Sequence, residues 1–170
     1  AAKLPPRLAA VPQVSGGLSV ATARRLTGDV RIQPHVRALF VDDSLSVRKV
    51  AERTLRGLGV EVILAGDGVD ALAKLRENEV DIVFTDLEMP RMHGYDLIRE
   101  LRFGAAYKNL PIVVVSSRSG NKHKQQATEL GATDYLIKPF SPEIIREALV
   151  RHCGFGNNPL PPTHLIVKTP

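Results

Sequence analysis

The sequence predicts an α/β protein whose parallel sheet carries helices on both faces. Three observations predict it. Short, mainly apolar runs of strand length recur five times. Each is followed by a segment with apolar residues at helical spacing, and Gly or Pro punctuates most of the joints. Runs without polar interruption are what strands buried on both faces look like, and strict alternation of strand and helix means parallel strands joined by crossover helices.

Residues 1–35 hold Pro5, Pro6, Pro12 and Pro34 around Gly16-Gly17, and read as a linker with a short helix over 18–26 that Gly28 would end. The first strand covers residues 36–41 and stops at Asp42-Asp43-Ser44. Its helix carries Val47, Val50, Ala51, Leu55 and Leu58, and Gly57 and Gly59 close it. A second strand, residues 60–65, leads through Gly66-Asp67-Gly68 to a helix with Val69, Leu72 and Leu75 on one face. The third, Ile82-Val83-Phe84-Thr85, opens into Asp86-Leu87-Glu88-Met89-Pro90. After Gly94, Leu97, Ile98 and Leu101 mark a third helix, with Gly104 beyond its end.

Pro111 introduces a fourth strand, residues 112–115, ending at Ser116-Ser117. The helix Asn121–Leu130 has little besides Ala127 and Leu130 to bury, so it is expected to be the least firmly held; Gly131 ends it. A short fifth strand, Asp134–Ile137, runs into Lys138-Pro139-Phe140. Ser141-Pro142-Glu143 starts the last helix, with an N-cap hydroxyl, a proline at the first position and an acid in the first turn. Ile144, Ile145, Ala148 and Leu149 are its expected buried face, and Cys153 lies just past its end. The expected fold is a doubly wound (βα)5 flavodoxin-like sandwich with sheet order 2-1-3-4-5 and right-handed crossovers. Residues 153–170, with four prolines and no helical pattern, read as a C-terminal tail too short for an output domain.

Composition narrows the function. The chain has 170 residues and is 44% hydrophobic, enough for one domain with a core. No run of about 18 apolar residues is present, so no membrane insertion is expected. A start at Ala1 without a signal-peptide layout suggests a processed chain or an excised piece. The single cysteine cannot form an internal disulfide, which fits a cytoplasmic setting. The net charge of +5 is unevenly placed: residues 1–35 carry +4, residues 36–152 are neutral, and Lys168 supplies the rest. A nucleic-acid partner would call for a basic face on the domain itself, so none is expected.

Chemistry gathers at the strand ends. Asp42, Asp43, Asp86, Ser116 and Lys138 all follow carboxyl ends of predicted strands, where open α/β sheets bind ligands. In the order 2-1-3-4-5 all five could meet in one shallow site. Three crowded acids repel unless a cation neutralises them, and a few hard oxygen ligands favour Mg²⁺ shared with a substrate phosphate. An in-line nucleophile and a cation for the outer phosphate oxygens complete the set, as Asp86 and Lys138. Taken singly, Asp42, Asp43 and Ser44 could equally be helix caps, and Lys138-Pro139 a surface turn.

Together, Asp42-Asp43-Ser44, Asp86 with Met89-Pro90 and Gly94, Ser116-Ser117, and Tyr135 followed by Lys138-Pro139-Phe140 resemble the response-regulator receiver domain of two-component phosphorelays over about residues 36–152. The resemblance implies a phosphoacceptor domain, not a free-standing enzyme, that takes phosphate from a phosphohistidine on a histidine kinase or phosphotransfer domain. It makes Asp86 the acceptor, Asp43 a direct Mg²⁺ ligand, Asp42 a ligand through water, and the Glu88 main-chain carbonyl the remaining protein ligand. Ser116 becomes the switch hydroxyl, Tyr135 the switch aromatic and Lys138 the phosphate-binding lysine, with a cis Lys138–Pro139 bond. The downstream partner would meet the face made by the fourth helix, fifth strand and fifth helix.

His93 departs from the Asp that the family often places before the glycine. Glu88 and Arg118, two positions beyond Asp86 and Ser116, flank the route of water to the phosphate. The wording of the stretches Asp42 to Lys49 and Ser117 to His123 looks most like receivers at the C-terminal end of chemotaxis-type hybrid histidine kinases. Lys122, His123 and Lys124 read as a solvated face, and Cys153 as inert. Two other readings stay open. A phosphatase with an aspartyl-phosphate intermediate would use Asp86 and Glu88 but lacks cap elements for a small substrate. A receiver-like binding module that is not phosphorylated would leave the full residue set without a purpose.

Overall fold

Residues 35–155 are described in the computed structural model of the chain. The expected linker and its helix over 18–26, and nearly all of the expected tail, fall outside them. Five strands, β1 (Arg37–Val41), β2 (Glu61–Ala65), β3 (Ile82–Thr85), β4 (Ile112–Ser116) and β5 (Asp134–Ile137), form one parallel sheet in the order β2-β1-β3-β4-β5. The crossovers are α1 (Leu45–Gly57), α2 (Gly68–Glu77), α3 (Gly94–Phe103), α4 (Asn121–Leu130) and, after β5, α5 (Pro142–Cys153). The expected fold class and strand order are those observed.

The period-2 alternation of each strand divides the core into two layers. Leu39, Val41, Val83, Ile112 and Val114 face Ala71 and Leu75 of α2, Leu97, Ile98 and Leu101 of α3, and Ala127 of α4. Ala38, Phe40, Ile82, Phe84, Val113 and Val115 face Ala51 and Leu55 of α1 and Ile145, Ala148 and Leu149 of α5. The inner strands β1, β3 and β4 are thus apolar on both sides. Burying one such Leu or Phe side chain contributes about 2 kcal/mol, so the sheet is held chiefly by its own two faces.

The expected Ser141 start and Gly131 stop are both observed, and two further side-chain caps join them. Ser44 caps α1 through the Val47 amide and Ser141 caps α5 through the Ile144 amide. Asp67 caps α2, its side chain accepting from the Asp70 amide. Gly131 ends α4 in the left-handed region at φ 106°, which favours glycine.

Three expected core residues are exposed instead. Val50, Val69 and Ile144 each sit about 100° or more around the helix from a buried neighbour, and the stripe that reaches the sheet is filled by the residues at i, i+3 and i+4 from those neighbours. In α5 that stripe is Ile145, Ala148 and Leu149, which leaves Ile144 on the rim. The same helix runs through Cys153, which was expected just beyond it, and Gly154 caps it at φ 61°. Burial and the nearby Asp81 push the Cys153 thiol up to about 11.

Helix α4 has Ala127 as its one fully buried residue, with Leu130 partly buried. It therefore contributes far less apolar contact than α3, which buries Leu97, Ile98 and Leu101.

Candidate functional site

The register of the sheet brings the polar groups together. Val41 pairs with Ala65 on one side and Thr85 on the other, so β1, β2 and β3 end level. Beyond that line the main chain is still tied across strands: the Asp42 amide donates to Ala65 O (3.1 Å), the Asp86 amide to Val41 O (2.9 Å) and the Lys138 amide to Ser116 O (2.9 Å). Four of the expected site residues thus leave the sheet from fixed positions at one rim.

Carboxylate oxygens of Asp42, Asp43 and Asp86 all lie within 4.8 Å of one another. Asp42 is fully buried, Asp86 nearly so and Asp43 exposed. Lys138 reaches in from the loop after β5, where its bond to Pro139 is cis. Its Nζ donates to Asp42 Oδ2 at 2.6 Å and to Asp86 Oδ2 at 3.0 Å. The remaining oxygens of this pair are also bound, Asp42 Oδ1 by the Ser44 amide (2.8 Å) and Asp86 Oδ1 by the Leu87 amide (2.7 Å). Burial pulls the Lys138 pKa down, but the hydrogen bonds and charges of the two aspartates outweigh it, and the ammonium is held above the ordinary lysine value.

No hydrogen bond from a described residue reaches the Asp43 carboxylate. One lysine against three acids leaves the pocket with excess negative charge. The donor set is all oxygen and few in number, with one ligand facing solvent. That set fits Mg²⁺, which keeps several waters, better than a metal that wants nitrogen or sulfur.

Ser116 is fully buried at the end of β4, and its Oγ accepts from the Arg118 amide at 3.2 Å. The Tyr135 hydroxyl, from β5, donates to Arg118 O at 2.6 Å. The Arg118 guanidinium donates to Glu88 Oε1, at 2.5 Å and 3.1 Å. This exposed pair holds the Glu88 carboxyl below its usual range, with the Arg118 hydrogen bond as the largest cause. Ser116, Tyr135, Arg118 and Glu88 thus form one connected set beside Asp86.

Gly94 is needed for space. A Cβ there would overlap the Asp86 carbonyl oxygen, and the Gly94 amide donates to Leu87 O at 3.0 Å. The loop between them is tied to the start of α2. Arg91, at φ 62°, places its guanidinium on Asp67 Oδ2, with Nε at 2.6 Å and Nη2 in the same ion pair, and the Gly68 amide donates to Met92 O. Nothing in the spacing of Asp67 and Arg91 along the sequence points to this pair. Their partnership joins the loop after β2 to the loop after β3, with α2 and β3 between them in sequence.

His123 is more than a solvated face. Its Nδ1 and the Tyr95 hydroxyl share a hydrogen bond of 2.9 Å, which joins α4 to α3. Among the described residues, the acidic triad is the only cluster with metal-ligand geometry, so neither His93 nor His123 belongs to one.

The family model for the response regulator receiver domain matches residues 38–150, more than half of the chain. The chain belongs to that family. This receiver is 37% identical over 117 residues to Protein PilG of Pseudomonas aeruginosa, covering 69% of this chain and 87% of that protein. The solved structure of the chemotaxis protein CheY4 of Vibrio cholerae superposes with a TM-score of 0.67 at 36% identity, over 69% of this chain and 98% of that one. A receiver domain of a sensor histidine kinase from Pseudomonas aeruginosa PAO1, with a magnesium ion coordinated in its active-site cleft, superposes with a TM-score of 0.66 at 28% identity, over 71% and 98% of the two chains. The present receiver is therefore a two-component signalling domain with chemotaxis-type homologues. No helix among its described residues is long and apolar enough to cross a membrane.

Proposed function

We propose that Asp86 accepts a phosphoryl group from a phosphohistidine on a histidine kinase or phosphotransfer domain, with Mg²⁺ held at Asp43, Asp86, the Glu88 main-chain carbonyl and, through water, Asp42. The observation that carries this reading is Lys138 Nζ bridging Asp42 and Asp86 beside the Asp43 carboxylate. Asp86 attacks phosphorus with a carboxylate oxygen; the P–N bond to histidine breaks as the P–O bond forms. Lys138 then has a phosphoryl oxygen to bind in place of the Asp86 oxygen it holds now. A bound Mg²⁺ supplies charge neutralisation for the phosphoryl oxygens.

The new phosphoryl oxygens would draw Ser116 and its loop toward Asp86. Tyr135, bonded to that loop at Arg118, would follow. Helix α4, with little apolar contact to resist, would shift, so that α4, β5 and α5 form the face read by a downstream partner. In this account the receiver proper spans residues 36–152 between a linker and a tail, and acts in the cytoplasm in chemotaxis or motility signalling. The wording of its first loop and of the segment before α4 supports an origin as the C-terminal receiver of a hybrid kinase, whose catalytic activity would lie outside this chain.

The test is incubation with Mg²⁺ and a small phosphodonor such as acetyl phosphate. Stable labelling of the wild type and none of Asp86→Asn is expected. Labelling of the variant at the wild-type rate removes Asp86 as acceptor. Catalytic release of phosphate without a stable protein label would favour the phosphatase reading.

A further inference from the structure

Arg48 sits at the fourth position of α1, next to the positive end of the helix dipole. A cation there is disfavoured by about 0.3–1 kcal/mol, and the first turn holds no acid to offset it. The side chain has a definite target. Its Nη1 donates to the main-chain carbonyls of Asp42 (2.5 Å) and Asp43 (3.1 Å).

Those carbonyls belong to the two adjacent acids of the cation site. The Asp42 carboxylate is oriented by other groups, the Ser44 amide and Lys138 Nζ. The Asp43 carboxylate is exposed and receives no hydrogen bond from a described residue. Its direction therefore depends on the backbone of the Asp42–Asp43 turn. Arg48 is the side chain that grips both carbonyls of that turn.

We infer that Arg48 is a positioning residue for the cation site: by clamping the Asp42 and Asp43 carbonyls it aims the Asp43 carboxylate at the metal. This rests on the Mg²⁺ reading above. A guanidinium suits the task because neighbouring N–H donors in a rigid plane can serve two acceptors, whereas an ammonium is a point donor on a flexible stem. Partners behind a metal ligand typically change affinity by about tenfold or more, without touching the metal.

The experiment compares wild type, Arg48→Ala and Arg48→Lys by calorimetric Mg²⁺ titration and by hydrogen exchange of the metal-free proteins. Arg48→Ala is expected to bind Mg²⁺ about tenfold more weakly, and its amides over residues 42–45 to exchange faster before any metal is added. Arg48→Lys should recover part of both. In phosphodonor labelling, the Mg²⁺ concentration for half-maximal rate should rise more than the maximal rate falls. Should Arg48→Ala fail to fold, Arg48→Gln decides by the same measurements. Equal Mg²⁺ affinity in the wild type and a folded Arg48 variant overturns this inference alone. Failure of the wild type to bind Mg²⁺ overturns the metal reading and this inference with it.

Discussion

The Tyr135 hydroxyl donates a 2.6 Å hydrogen bond to the main-chain carbonyl of Arg118, and the Arg118 amide donates in turn to Ser116 Oγ. The aromatic expected to act as a switch is therefore already wired to Ser116, the hydroxyl expected to act with it, through one residue of the loop. If phosphate on Asp86 draws Ser116 inward, that chain of two bonds carries the motion to β5 and α4. Ser116→Ala should still accept phosphate but lose the response. Hydrogen exchange over residues 116–138, with and without beryllofluoride as the phosphate mimic, should differ in the wild type and hardly at all in the variant. A wild type unchanged by bound mimic would remove the switch.

Tyr135→Phe isolates the second bond. It should leave labelling intact, speed exchange of the loop from 117 to 120, and lower stability by about 1 kcal/mol, the net worth of one hydrogen bond. Urea unfolding reads the last quantity. Unchanged exchange in the loop would show that the hydroxyl does not restrain it.

Glu88 and Arg118, two residues beyond Asp86 and Ser116, form an ion pair whose side chains are both exposed, so it should contribute little to stability. Its effect is expected on the phosphate instead. Arg118→Ala should open the path of water to phosphorylated Asp86 and shorten the lifetime of the label severalfold, with the unfolding midpoint unmoved. High salt should shift the wild type in the same direction by screening the pair. A label equally long-lived in the variant would separate the ion pair from phosphate lifetime.

Gly94→Ala should be among the most damaging single-methyl changes in the chain. The new Cβ would meet the Asp86 carbonyl oxygen, which is backbone and cannot turn aside. A loss of about 3 kcal/mol is expected from such overpacking, along with slower labelling because Asp86 itself is displaced. Circular dichroism of the variant during urea unfolding, beside a phosphodonor assay of its folded fraction, checks both.

Acid stability should reflect two aspartates outside the phosphoacceptor chemistry. Burial alone would raise Asp67, but the Asp70 amide and Arg91 reverse this and hold it below the usual aspartate range. Burial likewise opposes Asp134, which the His152 hydrogen bond, the Tyr135 amide and Arg151 bring below the usual aspartate range. Groups with depressed folded pKa values stabilise the fold above their unfolded values and lose that contribution as pH falls through the folded ones. The stability of the wild type should therefore fall as the pH drops below the ordinary aspartate range and through the depressed folded values, and Asp134→Asn should flatten part of that fall. An identical acid profile in the variant would mean that Asp134 carries no linkage.

The fold, and the gathering of Asp42, Asp86, Ser116 and Lys138 at one rim, were legible because they follow from local chemistry. Ile82 to Thr85 and Ile112 to Val115 read as doubly buried strands since a strand covered on both faces has no polar position to show. Asp42, Asp86, Ser116 and Lys138 stood out because each ends such a run, and parallel strands place all those ends at one rim. What only the tertiary structure decided is which side chain meets which. Arg48 on the Asp42 and Asp43 carbonyls, Arg91 on Asp67, Tyr95 on His123 and Tyr135 on Arg118 are pairings that cross elements. Neither periodicity nor propensity carries such distances. The exposure of Val50, Val69 and Ile144 has the same origin. A helix's sequence defines an apolar arc, but the sheet it packs on chooses which part of that arc is buried.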